Sequence, residues 1–196
     1  MLIRICLIRH AKTQGNLERR YIGRTDEPLC LSGREELEQL ISEGCYPECE
    51  ALYTSPMRRC LETAAMIYPG VEQRIWEELR ECNFGSFEGK TYQELKHNSD
   101  YRRFLSQNGE GTIPGGESGE VFRMRCIKAF EEILYDAVQR QVTRISIVCH
   151  GGTIMALMSR FCEAPGRLYD YQVPNCGGYL AEFDCKKMKI ASYKLL

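Results

Sequence analysis

Leu2-Ile-Arg-Ile-Cys-Leu-Ile-Arg-His10 and Ile145-Ser-Ile-Val-Cys-His-Gly-Gly152 are two short apolar runs that both end in histidine. Near-continuous apolar runs of this length suit strands covered on both faces, as in a parallel sheet. After the first run and a loop containing Gly15 and Asn16, a helix is predicted from Ser32 or Gly33 to about Glu43. Leu37, Leu40 and Ile41 stand at helical spacing, and Gly44 lies just past its end. Ala51 to Thr54 reads as a brief strand. Ser55-Pro56 signals a helix start, with serine as the cap and the helix stopping before Pro69.

Further along, Val71 to Trp76 is predicted as a third strand, followed by a loop from Glu81 to Gly89 and a weakly helical stretch from Thr91 to about Ser106. Residues 108–119 are loop by composition. Val121, Phe122, Cys126, Ala129, Phe130, Ile133, Leu134 and Val138 repeat every 3.6 residues, which predicts a long amphipathic helix from Ser118 to Gln141. A helix from Thr153 to Cys162 and strands Tyr179–Asp184 and Met188–Tyr193 close the chain. Strands alternating with helices predict a three-layer α/β/α sandwich, its sheet mostly parallel with an antiparallel edge. No linker or repeat divides residues 1–196, so one domain is expected.

Composition narrows the functional classes. Over 196 residues, 43% are hydrophobic and 27% charged, with a formal net charge of -1. Disorder and a polyanion-binding shell are disfavoured, so no nucleic-acid partner is expected. Met1 to His10 is interrupted by Arg4 and Arg9, lacks a small-residue cleavage site and is shorter than the roughly 20 apolar residues of a membrane span. The expectation is a cytoplasmic protein with no membrane partner. Its 11 cysteines include no C-x-x-C pair, and three histidines offer little to complete a soft-ligand site. No metal and no cofactor are expected, and the thiols read as apolar filler of a reducing compartment.

In a parallel sheet the ligand crevice lies beyond the carboxyl ends of the strands, where loops and helix N-termini converge. His10 and His150 both stand there. Arg9 neighbours the first, Asn16 follows in its loop, and His150-Gly151-Gly152 opens a helix whose free N–H groups and positive dipole end suit an anion. The predicted ligand is a phosphate. His97, among polar neighbours, reads as a solvated histidine.

These residues carry a family resemblance. Arg9-His-Ala-Lys-Thr-Gln-Gly-Asn16 resembles the R-H-G-x-[ST]-x-x-N signature of the histidine phosphatase superfamily in its phosphoglycerate-mutase-like branch. Arg20, Gly23, Asp26, Pro28-Leu29 and Gly33 continue the pattern. Ser55-Pro-Met-Arg-Arg-Cys-Leu-Glu-Thr-Ala64, Leu79-Arg-Glu-Cys-Asn-Phe-Gly-Ser-Phe-Glu-Gly89, Pro114-Gly-Gly-Glu-Ser118 and Val148-Cys-His-Gly-Gly152 are similar to four further family blocks, in the family's order.

The resemblance implies a phosphoglycerate-mutase-like fold and a phosphomonoester chemistry. By it, His10 is the nucleophile that becomes a phosphohistidine, and Glu81 is the acid and base. Arg9, Arg59 and His150 would grip the phosphoryl oxygens, with Asn16, Gly23 and Gly151 on the substrate-binding side. Glu81 should have its pKa raised by the like charge of the bound phosphate. Arg58 falls on a variable position and reads as a rim charge. Glu88 reads as a loop hydrogen-bonder, and Glu117 as a cap for the long helix. Tyr92, Tyr101 and Phe104 read as core cover, with stacking on a substrate ring as the other option. Ala11 replaces the usual glycine and is tolerable if its φ is negative.

Family members divide between mutases and phosphatases. The phosphatase reading is favoured because no second clamping stretch with a lysine and matching paired arginines separates Gly89 from Pro114. Phe84 also stands where the mutases have tyrosine, and Gly151 where they have asparagine. Length and the Asn16–Gly33 blocks look most like the small alpha-ribazole phosphatases, and the expected partner is a small phosphomonoester. A bisphosphoglycerate-dependent mutase and a non-catalytic phosphate-binding module are the alternatives, and oligomeric state is not legible. Cys60, Cys82 and Cys149 adjoin site residues, so oxidation there is expected to quench activity.

Overall fold

The structure is a computed structural model describing residues 1–107 and 109–196; Asn108, which opens the predicted glycine-rich loop, lies outside the described residues. In chain order the elements are β1 (Leu2–Arg9), α1 (Gln14–Leu17), α2 (Leu31–Ser42), β2 (Ala51–Thr54), α3 (Arg58–Ile67), β3 (Gln73–Ile75), α4 (Tyr92–Leu95), α5 (Ser99–Ser106), α6 (Gly119–Gln139), β4 (Arg144–Cys149), α7 (Gly151–Phe161), β5 (Gly178–Asp184) and β6 (Lys189–Leu195). Short 3-10 turns occupy Glu77–Leu79, Gly85–Phe87 and Leu168–Tyr171.

The six strands form one sheet in the order β3-β2-β4-β1-β5-β6. Four strands are parallel, and β5 and β6 add an antiparallel edge. Side chains alternate across a strand, and β1 uses both sides. Ile3, Ile5 and Leu7 pack with α6 and α7 in one core, whereas Cys6 and Ile8 pack with Leu37 of α2 and Cys60, Ala64 and Ile67 of α3 in the other. The α/β/α layering follows from that division. Each fully buried Ile or Leu contributes about 1.5–3 kcal/mol. Two such cores offset the cost of burying two imidazoles, a guanidinium and a carboxyl group at the strand ends.

Several local expectations are corrected. Ser55 does not cap α3; Met57 occupies that position without a side-chain cap, and the Ser55 hydroxyl turns to His150 instead. The third strand contracts to Gln73–Ile75, and α7 begins at Gly151 rather than Thr153. The weakly helical stretch splits into α4 and α5. Thr91 and Glu94 form a capping box for the first, and the Asn98 side chain accepts from Asp100 and Tyr101 N–H to start the second. Ser118 caps α6 through the Val121 N–H, so Glu117 is not its cap.

Candidate active site

Three adjacent parallel strands deliver the site. β1 and β4 run in register with Arg9 opposite Cys149, which sets His10 and His150 side by side past the sheet edge. The His10 N–H donates to the Cys149 carbonyl at 3.0 Å, and the two rings meet edge to face with centroids 5.2 Å apart. β2 ends at Thr54, where the Ser55 N–H donates to the Val148 carbonyl and leads into α3, whose second residue is Arg59.

The proton positions on His10 follow from its neighbours. Nδ1 lies 2.7 Å from the Ala11 carbonyl, which can only accept, so Nδ1 carries the proton and Nε2 holds the lone pair. Burial, and then the Arg59 charge, push the His10 pKa well below the ordinary histidine value. His150 is lowered in the same way, by burial first and then by Arg59 and His10. Its Nε2 sits 2.8 Å from Ser55 Oγ. Both imidazoles are therefore neutral near pH 7.

Arg59 is fully buried, and its terminal nitrogens donate to two main-chain carbonyls: Nη1 to Thr25 and Nη2 to Gly23, both at 2.8 Å. Arg9 Nη1 donates to the Val173 carbonyl at 2.7 Å. The Nε atoms of Arg9 and of Arg59 are buried and have no hydrogen-bond partner among the described residues. Unpaired buried donors are costly and rare in folded proteins. Two of them on cations that both depress the His10 pKa mark a place for an anion.

Glu81 closes the group. Its Oε1 accepts the Cys82 N–H at 2.9 Å and its Oε2 the Gly152 N–H at 3.3 Å. Burial raises its pKa, against opposing contributions from those N–H groups and from Arg59 and Arg9. The shift therefore exists without a bound phosphate. A Cβ on Gly152 would lie 2.6 Å from Glu81 Oε1 and 3.0 Å from Phe122, so only glycine lets the α7 N-terminus meet this carboxyl.

Of the other residues singled out from sequence, Asn16 uses its side-chain oxygen to accept from the Thr13 N–H and from Asn175 Nδ2. Gly151 opens α7 beside Arg9, with 3.3 Å between the place of a Cβ and Arg9 Nε. Gly23 has its N–H engaged by Glu88 and its carbonyl by Arg59, so it acts on the arginine rather than offering a main-chain group to a ligand. A Cβ there would come within 1.9 Å of the Cys82 carbonyl.

Glu88 is a loop hydrogen-bonder, and Arg58 is exposed and paired with Glu62. Glu117 is ion-paired with Arg125, which together with its Asn83 bond holds its pKa low despite burial. Ala11 is buried and absent from the positive-φ residues, so its methyl group is accommodated. Tyr101 is buried core cover, Phe104 is buried in the same core and also borders a cavity, Tyr92 is half exposed, and His97 is exposed.

Sequence reasoning missed the residues that hold this group in place. Arg125 donates to the carbonyls of Glu78 and Arg80 and thereby fixes the turn that carries Glu81. Thr63 Oγ1 accepts the Ala11 N–H, and Asn175 Nδ2 donates to the His10 carbonyl. Only the turn signal Pro174-Asn-Cys-Gly177 hinted at the last. All eleven cysteines are free thiols. Cys60 and Cys149 are wholly buried, and burial pushes the Cys60 thiol up to about 12 and that of Cys149 well above its ordinary value. Burial of these two thiols disfavours the thiolate, the reactive form, and so weighs against the expected oxidation liability at Cys60 and Cys149. Among the described residues no group of three or more His, Cys, Asp or Glu could hold a metal ion, and no helix is long and apolar enough to cross a membrane.

A family model for the histidine phosphatase superfamily (branch 1) matches residues 5–195. The chain belongs to this superfamily. Among its relatives, "Putative phosphoserine phosphatase 2" of Hydrogenobacter thermophilus is 31% identical over 79% of this chain and 76% of that protein. "Phosphoglycerate mutase-like protein 4" of Arabidopsis thaliana is 32% identical over 80% of this chain and 70% of its own length. The crystal structure of the alpha-ribazole phosphatase from Shigella flexneri superposes with a TM-score of 0.82, covering 99% of this chain and 96% of that one at 23% identity. That likeness establishes the phosphoglycerate-mutase-like fold.

Proposed function

We propose that the protein is a phosphomonoesterase that passes the phosphoryl group of a small phosphorylated metabolite first to His10 Nε2 and then to water. The observation that carries this reading is the pairing of a neutral His10, its Nδ1 fixed by the Ala11 carbonyl, with two buried, unpartnered guanidinium N–H groups on Arg9 and Arg59. The lone pair on Nε2 attacks phosphorus while the ester P–O bond breaks. Arg9 and Arg59, with His150 beside them, stabilise the charge that gathers on the phosphoryl oxygens. Glu81, whose pKa is raised by burial, acts as the acid that gives a proton to the departing alkoxide. The resulting carboxylate then takes a proton from the water that attacks the phosphohistidine; the Nε2–P bond breaks, its electron pair returns to His10, and phosphate leaves.

A rapid-quench experiment with a labelled phosphomonoester tests it. Label bound to His10 in an acid-labile, base-stable linkage is expected, together with loss of turnover in His10→Ala. Glu81→Gln should slow alkyl esters far more than an ester of an acidic phenol, whose leaving group needs no proton. Unchanged phosphate release by His10→Ala would overturn the reading. The substrate panel includes alpha-ribazole 5'-phosphate and 3-phosphoglycerate, the latter with 2,3-bisphosphoglycerate. Isomerisation without phosphate release would assign a mutase instead.

A further inference from the structure

Glu81 and Gly152 also line a cavity of about 450 Å³ that continues from the catalytic group. Tyr21, Phe84, Phe104, Phe122, Met155 and Tyr169 form much of its wall. The Tyr21 hydroxyl is bonded to that of Tyr101 at 2.7 Å, so its ring rather than its oxygen is what this residue offers. Arg123 is the only cation among the described lining residues. Both terminal nitrogens of its guanidinium face the two carboxylate oxygens of Glu110.

We infer that this cavity receives the alcohol half of the phosphomonoester, and that the alcohol is bulky, apolar or aromatic, and uncharged. The inference rests on the phosphomonoesterase reading above and adds the substrate class. A phosphoryl group held by Arg9 and Arg59 places its ester oxygen at Glu81, and Glu81 is where the cavity begins. An aromatic alcohol finds ring faces and edges there, which favour offset or edge-on packing. An alcohol bearing a carboxylate, as in phosphoserine or phosphoglycerate, finds only Arg123 as a cation among the described lining residues, and Glu110 already neutralises it. Desolvating that carboxylate without a partner opposes binding.

Ethyl phosphate and 2-phenylethyl phosphate separate the two readings, because their alcohols are similarly basic and differ by one ring. The ring removes on the order of 100 Å² of apolar surface from water, which at about 25 cal/mol/Å² corresponds to roughly 30- to 100-fold in kcat/KM. The full-length protein should therefore prefer 2-phenylethyl phosphate by that factor, with phosphoserine no better than ethyl phosphate. Glu110 is exposed, so Glu110→Gln leaves the core alone and frees Arg123. This variant should improve phosphoserine relative to 2-phenylethyl phosphate about 5- to 10-fold. Equal kcat/KM for the two neutral esters, or a preference for phosphoserine, with a phosphohistidine still formed, would overturn the cavity assignment alone. No turnover of any ester and no phosphohistidine would overturn the phosphomonoesterase reading and this inference with it.

Discussion

Removing Glu88 should disable Arg59 without touching it. Glu88 Oε1 accepts the Gly23 N–H at 2.7 Å and the Thr25 N–H at 2.9 Å, and the carbonyls of these same two residues receive the Arg59 guanidinium. In Glu88→Ala the exposed Thr25 N–H can turn to water, but Gly23 is buried, and its unpaired N–H costs about 1–3 kcal/mol. The loop cannot relax inward, because Gly23 already lies against the Cys82 carbonyl. It must move outward and take the Arg59 contacts with it. A misplacement of about 1 Å at a catalytic group can cost on the order of 10²-fold, so kcat/KM should fall by about 10- to 100-fold. The pH profile gives a second readout, since Arg59 helps to hold the His10 pKa down. As the guanidinium withdraws, the acid limb of kcat/KM should move to higher pH. Glu88→Gln keeps the accepting oxygen and should restore most of the rate and the limb. A folded alanine variant with unchanged kcat/KM and an unmoved acid limb would refute the reasoning.

Two other outcomes follow from the same burial. His10 and His150 have folded pKa values well below 6.5, so their contribution to stability is present above that pH and is lost as pH falls below it. Urea unfolding of His10→Gln should show a pH dependence between 6 and 5 that is shallower than the parent's by roughly 1 kcal/mol per pH unit, and parallel slopes would exclude the buried neutral state. Brief iodoacetamide treatment should label the partly exposed Cys30 and Cys45 before Cys60 or Cys149, with activity changing less than about two-fold. Peptide mapping with a residual-rate assay checks this, and early inactivation tracking Cys149 labelling would contradict it.

The fold was legible where burial leaves a pattern in the sequence. β1 and β4 read as continuous apolar runs because helices cover both faces of the sheet, and α6 read from its 3.6-residue period. β3 shrank because Gln73 and Arg74 are only half-buried and Ile75 is exposed, leaving little apolar signal to set its ends. α7 was shortened because Gly151-Gly152 resembles a loop. What those glycines do is bring a helix N-terminus against Arg9 and Glu81. Ser55 carried a cap's signature and does another task, because an imidazole 2.8 Å away takes its hydroxyl.

For the candidate site, sequence reading found the groups with distinctive chemistry and missed most of what positions them. The carbonyls of Ala11, Gly23, Thr25 and Val173 fix His10, Arg59 and Arg9, and a carbonyl has no side-chain signature. Their arrangement also changes the account of the acid. The expected cause of a raised Glu81 pKa was repulsion from bound phosphate, yet burial raises it in the free protein. The same burial lowers His10. One desolvated setting thus shifts His10 toward a proton-free Nε2 and Glu81 toward its protonated form, the two states the proposed first transfer uses. Once that proton has left with the alcohol, the new carboxylate is stabilised by Arg9, Arg59 and the N–H groups of Cys82 and Gly152. The burial that raises the acid's pKa and the cations that stabilise its base form therefore allow one carboxyl to serve both halves of the proposed reaction.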